Sequence, residues 1–147
     1  MRELGYFFEK TNSRTFKKGG FIGRQFTLGK DQRLKSRKRI ERIFREGKVI
    51  QVFPYRVYYM REDAGGLQAG FGAGSRHFKK AVDRNRIKRL TREAYRLNKG
   101  ALEQVVEERK LSLSLFFIYT GKELPDHRLV SGKIVVALEK IVKELGS

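Results

Sequence analysis

The segment from Asp83 to Arg96, DRNRIKRLTREAYR, constrains the fold more than any other. Set on a helix at about 100° per residue with Arg84 at zero, Ile87, Leu90, Ala94 and Leu97 fall between about 220° and 300°. Arg84, Lys88, Arg92, Asn85, Arg96, Arg89 and Arg86 spread from zero to about 200°. One stripe must therefore pack on an apolar layer, and nearly everything opposite it is cationic. Between Lys79 and Lys99 there are nine basic residues and two acids, Asp83 and Glu93. A solvated face usually pairs opposite charges at i, i+4, whereas Arg84, Lys88, Arg92 and Arg96 form an unbroken like-charged ridge that costs about 0.2–0.5 kcal/mol per pair. Such a helix is stabilised by a polyanion, and Arg offers phosphate the bidentate contacts that Lys lacks.

The whole chain repeats that bias. Its 147 residues, one domain's worth of sequence, carry 34 Lys and Arg against 16 Asp and Glu, a net charge of +18. A surface that positive repels itself unless an anionic partner neutralises it, and nucleic acid is the commonest such partner. An acidic membrane is the other candidate, but it favours an amphipathic helix with large apolar residues exposed, and the apolar stripes here are needed for a core. There is no Cys and there are two His, so disulfides and Cys-based structural zinc are excluded. The opening MRELGYFFEK lacks the apolar stretch of a secretory signal. The longest apolar run, LSLSLFFIY, is about half of what a membrane span requires. A cytoplasmic protein that engages no membrane is expected.

Residues 1 to about 25 mix Gly, Lys, Arg and Phe without a sustained period and read as a flexible basic tail, leaving 26–147 as a single RNA-binding domain. From Ser36, a capping residue, Ile40, Ile43 and Phe44 take helical spacing up to a stop at Gly47. VIQVFPYRVYYMRE is rich in β-branched and aromatic residues, and Pro54 divides a short strand from a longer one. DAGG turns the chain into LQAGFGAGS, a third strand slimmed by glycine. The basic helix follows and ends near Asn98 and Gly100; ALEQVVEERK has the makings of a short further helix. In LSLSLFFIYTG, the fourth strand, Leu111, Leu113, Leu115, Phe117 and Tyr119 should face the core. Ser112, Ser114, Phe116, Ile118 and Thr120 should line a partly open groove. Pro125 and Asp126 open a last helix with Leu129, Ile134, Val135, Leu138, Ile141 and Val142 as its apolar face. The expected class is α+β, in the order αβββαβα, with the helices laid on one face of a four-stranded sheet.

FKKAVDRNRIKRLTREAYRLNK resembles the signature of the bacterial ribonuclease P protein subunit, an RNR core followed by basic and apolar residues on a helix. The likeness runs from about Phe26 to Lys99 and takes in RLKSRKRIERIFREGK and GFGAGSRHFKK. It implies a two-layer α-β sandwich, ribosomal protein S5 domain 2-like, with a left-handed βαβ crossover. It also implies that the basic helix docks on the catalytic RNA, with Arg84, Asn85, Arg86, Lys88, Arg89 and Arg92 in the contacting motif and Arg96 beyond it. Ahead of the helix the family commonly has a Ser and two Lys. Here Ser75, Arg76 and His77 stand there, keeping charge at Arg76 but not at a neutral His77, with Lys79 and Lys80 to compensate.

The same resemblance implies a cleft between the first helix and the sheet that receives the single-stranded 5′ leader of precursor tRNA, bordered by Ile40, Phe44, Arg56, Tyr58, Lys88 and Arg92. Single strands are held by base stacking on aromatic rings beside positive charge. Phe44 and Tyr58 match aromatic positions of the family's cleft, and Tyr58 shares a strand face with Arg56 and Met60. For Phe44 the residues alone leave cleft and core equally open. Where the family often has Phe one turn earlier, this chain has Ile40, which offers an apolar wall and no stacking.

Intrinsic catalysis finds no support. A protein ribonuclease needs a positioned base and acid, or carboxylates for paired metals. His77 and His127 are far apart in the chain, Glu103, Glu107 and Glu108 sit beside Arg109 and Lys110 as ordinary solvated pairs, and no phosphate loop or metal-ligand spacing is present. The expectation is no catalytic residue and no cofactor held by the protein, with Mg²⁺ required by the RNA subunit that carries the chemistry. The partners are then ribonuclease P RNA and precursor tRNA, with no obligate protein partner. Two other classes compete: a ribosomal or ribosome-assembly RNA-binding protein, indifferent to a leader, and a protein nuclease, which would cut RNA alone.

Overall fold

The computed structural model describes residues 28–146, so the tail expected over 1–25 lies outside the described residues. A 3₁₀ turn (Lys30–Gln32) leads into α1 (Arg37–Glu46), β1 (Lys48–Val52), β2 (Tyr55–Glu62), β3 (Leu67–Ala73), α2 (Ala81–Asn98), α3 (Gly100–Glu108), β4 (Ser112–Tyr119) and α4 (His127–Gly146). Local chemistry sets the boundaries. Ser36 Oγ accepts from Arg39 N at 3.4 Å and caps α1, and Asp126 Oδ1 accepts from Leu129 N at 2.7 Å and caps α4. Gly47 ends α1 by close approach: a Cβ there would lie 2.5 Å from Ile43 O and 3.0 Å from Tyr59 O. Gly65 and Gly66, at φ 107° and 69°, turn β2 into β3.

The sheet order is β1-β2-β4-β3. β2 pairs antiparallel with both β1 and β4, while β3 pairs parallel with β4 through the α2–α3 crossover. One face of the sheet is the core: Tyr55, Val57 and Tyr59 of β2 and Leu113, Leu115 and Phe117 of β4 pack with Ile87, Ala94 and Tyr95 of α2 and Ile134, Leu138 and Ile141 of α4. Strand alternation in β4 is as the sequence predicts except at Ser114, which is expected in the open groove and is instead fully buried beneath α1, where Arg39 Nη2 donates to its Oγ.

The α+β class and the four-stranded sheet hold, with three corrections to the detail. The order αβββαβα gains one helix, α3, which is the short further helix that ALEQVVEERK suggests and which buries Ala101, Leu102 and Val106. The helices do not share one face. α1 lies on the opposite face from α2 and α4, because Phe44 meets Tyr58 and Phe116, whose side chains alternate away from the core. Leu129 is 39% exposed, and Val130 takes its place in the apolar stripe of α4. Glu103 also departs from expectation. It is no solvated pair, for Lys99 is buried beside it with Nζ 3.6 Å from Glu103 Oε2 and 2.8 Å from Gln32 Oε1. Desolvation pushes the Lys99 pKa down and the Glu103 pKa up.

Candidate nucleic-acid interface

Helix α2 turns its cations outward: Asn85, Arg86, Arg89 and Arg92 are exposed, and Arg84, Lys88 and Arg96 are half-buried. Its buried residues are Ile87, Thr91, Ala94 and Tyr95, so the inward stripe is rotated by about 60° from the one that aliphatic spacing alone suggests. Leu97, expected inside, is 40% exposed. The rotation has a physical cause. The Tyr95 ring fills the space beside Phe71 and Phe117, at 5.6 and 5.5 Å between centroids. Thr91 Oγ1 lies 2.7 Å from the Tyr55 hydroxyl and donates to Ile87 O at 2.8 Å, which satisfies two buried hydroxyls.

The ends of the cationic ridge are engaged by the protein itself. Arg84 Nη1 donates to the carbonyls of Phe78 and Lys79, each at 2.8 Å, and Arg96 pairs with Glu93 at 2.7 Å. Among the described residues, Arg86, Lys88, Arg89 and Arg92 have no carboxylate within ion-pair distance. Arg84 has a second consequence. Phe78 is buried with its ring 5.9 Å from that of Tyr119, so Arg84 and Phe78 together pin the loop ahead of α2. Arg76, His77, Lys79 and Lys80 are exposed around that anchor. The basic loop and the basic helix therefore present one continuous run of cations.

A second surface lies on the outer face of the sheet. Register puts Val49, Tyr58, Phe116 and Gly70 in one row across β1, β2, β4 and β3, and Gln51, Arg56, Ile118 and Gly72 in the next. The Phe44 ring of α1 meets Tyr58 edge-on at 4.9 Å and Phe116 at 5.0 Å. The glycine of β3 makes room for this group: a Cβ at Gly70 would lie 2.6 Å from Phe116 Cδ2. Phe44 is 40% exposed and Tyr58 half-buried. Phe44 is thus no core residue.

The expected cleft residues divide accordingly. Phe44, Tyr58 and Arg56 come together on the outer face, with Ile40 half-buried one turn back on α1. Lys88 and Arg92 belong to α2, in the other layer, and no hydrogen bond or ion pair among the described residues joins them to the first group. Phe116 completes the aromatic group. Its signal in the sequence is the outward phase of strand alternation in β4, which it shares with Ile118. Cations beside exposed rings can hold a backbone phosphate and stack a base.

Comparisons with known proteins identify the family and the fold. A family model described as Ribonuclease P matches residues 28–141. The ribonuclease P protein component of Porphyromonas gingivalis is 38% identical over 125 residues, covering 83% of this chain and 91% of the relative. Among solved structures, the ribonuclease P protein of Thermotoga maritima superposes with a TM-score of 0.56 at 29% identity, over 74% of this chain and 96% of that one. The protein from Staphylococcus aureus shares the fold, with a TM-score of 0.57 at 20% identity over 76% and 95% of the two chains.

Proposed function

The chain belongs to the ribonuclease P protein family and so to an endoribonuclease complex of bacterial tRNA processing; from that premise we propose that it is the noncatalytic subunit of the complex. It binds the catalytic RNA through the outward side of α2 and the loop before it, and binds the 5′ leader of precursor tRNA on the outer face of the sheet. The chemistry, release of the mature 5′ end by hydrolysis of one phosphodiester bond, belongs to the RNA subunit with its Mg²⁺ in the cytoplasm. The protein screens repulsion between the two RNAs and adds affinity for the leader.

The observation that carries this reading is the set Arg86, Lys88, Arg89 and Arg92, four cations on one helix without a carboxylate partner among the described residues. A fold that leaves such a set unneutralised is stabilised when polyphosphate supplies the counter-charge. The rings of Phe44, Tyr58 and Phe116, with Arg56 in the adjoining row, supply the stacking and the charge that a single strand needs. The test is reconstitution. At low Mg²⁺, the purified chain, a bacterial ribonuclease P RNA and precursor tRNA should give cleavage at the mature 5′ end only when the chain and the RNA are both present. Cleavage by the chain alone, or no gain on adding it to the RNA, would refute the proposal.

A further inference from the structure

Helix α1 holds Phe44 over the sheet, yet little apolar packing holds α1. Of its ten residues only Ile43 is buried, and an isolated helix of about ten residues is marginal in water. Its composition is unhelpful too: Arg37, Lys38, Arg39, Arg42 and Arg45 stand against Glu41 and Glu46. What seats the helix is a polar network beneath it. Arg39 Nη1 donates to Gln68 Oε1 of β3 at 2.5 Å, and Arg39 Nη2 donates to Ser114 Oγ of β4 at 3.1 Å. Ser114 Oγ in turn donates to Glu62 Oε1 of β2 at 3.2 Å. Glu62 Oε2 accepts from Arg42 Nη2 and lies 3.7 Å from Arg39 Nη2. The Glu62 side chain is 7% exposed, and it pairs with both guanidiniums.

We propose that Glu62 is a positioning residue for leader recognition: by pairing with Arg39 and Arg42 it holds α1 at the height above the sheet that places Phe44 against Tyr58 and Phe116. The inference rests on the reading of the outer face as the leader site. Glu62 is the buried member of the group, and the Arg39 and Arg42 side chains are 28% and 40% exposed; without its charge they are free to turn toward solvent, and the ties that hold α1 down on the sheet are weakened. The helix then lifts or shifts, and the edge-on ring contacts at 4.9 and 5.0 Å are lost. A second consequence follows for the arginines themselves. Arg39 and Arg42 already have a carboxylate partner within the protein, unlike Arg86, Lys88, Arg89 and Arg92 among the described residues.

The experiment uses the holoenzyme assembled with a ribonuclease P RNA and compares binding of precursor tRNA with binding of the same tRNA lacking its leader. Wild type should favour the leader-bearing form; if it does not, the leader reading fails and the role of Glu62 falls with it. Given that preference, Glu62→Gln should weaken the leader-bearing substrate about tenfold, the loss of roughly one base stack, and leave mature tRNA and the RNA subunit bound as before. An equal loss on both tRNAs, or no loss in a folded variant, would overturn the proposal while leaving the leader reading intact. Should Glu62→Gln fail to fold, Ser114→Ala, which keeps all three charges and the 3.7 Å approach of Arg39 to Glu62 but removes the hydroxyl that bridges them, should show a smaller loss with the same selectivity. Unchanged leader preference in Ser114→Ala would then overturn it.

Discussion

Single side chains in this protein act through neighbours that are remote in sequence. The Phe116 ring sits where it does because β3 offers no Cβ at Gly70. Gly70→Ala should push the ring aside and destabilise by about 1–3 kcal/mol, seen as a lower unfolding midpoint in denaturant together with weaker leader binding. Tyr55 gives a pH prediction. Burial pushes its hydroxyl from the usual 10 up to about 12, outweighing the bond to Thr91, which acts the other way. The unfolded chain therefore loses this proton first as pH rises. Stability that is intact below pH 10 should fall between about pH 10 and 12, and Tyr55→Phe should reduce that alkaline loss by roughly 2 kcal/mol. Tyr95, wholly enclosed and raised further by desolvation, leaves a residual alkaline slope in the variant. Neither effect was readable from the sequence. The packing of Phe116 on Gly70 depends on which strands become neighbours and the pairing of Tyr55 with Thr91 on how α2 lies across the sheet, and Glu62 meets Arg42 across 20 residues and Ser114 across 52.

At the scale of elements, local signals were legible where the chemistry is local. Ser36 and Asp126 cap helices, Gly47 stops one, and β4 alternates as a half-covered strand should. The phase of α2 was less legible, because a wheel drawn from aliphatic residues omits Thr91 and Tyr95, whose burial rests on partners in β2, β3 and β4. The side of the sheet taken by α1 was not legible at all. Its stripe of Ile40, Ile43 and Phe44 suits either face, and the polar network beneath it decides. With α1 and α2 in different layers, the leader site and the RNA-docking helix are distinct surfaces. Tyr58→Ala should weaken leader-bearing substrate more than mature tRNA in equilibrium titrations, whereas Arg92→Ala should weaken assembly with the RNA and leave that preference unchanged. Equal losses would remove Tyr58 from the leader site.

For the molecule as a whole, the net charge of +18 and the layering act together. The apolar side of α2 is used on the sheet, so its cations face solvent, and two of the ridge residues, Arg84 and Arg96, are engaged internally. That leaves a docking surface narrower than the sequence alone suggests and centred on Arg86, Lys88, Arg89 and Arg92. Four phosphate contacts would lower affinity for the RNA about a hundredfold between 50 and 200 mM salt. The most direct measurement is the slope of log affinity against log salt for ribonuclease P RNA, taken for wild type and for the combined Arg86→Ala, Arg89→Ala and Arg92→Ala variant, both shown folded by thermal unfolding. Three lost phosphate contacts should make the slope shallower by about 2 to 3 units. A variant that binds the RNA with the wild-type slope would contradict the assignment of α2 as the docking surface.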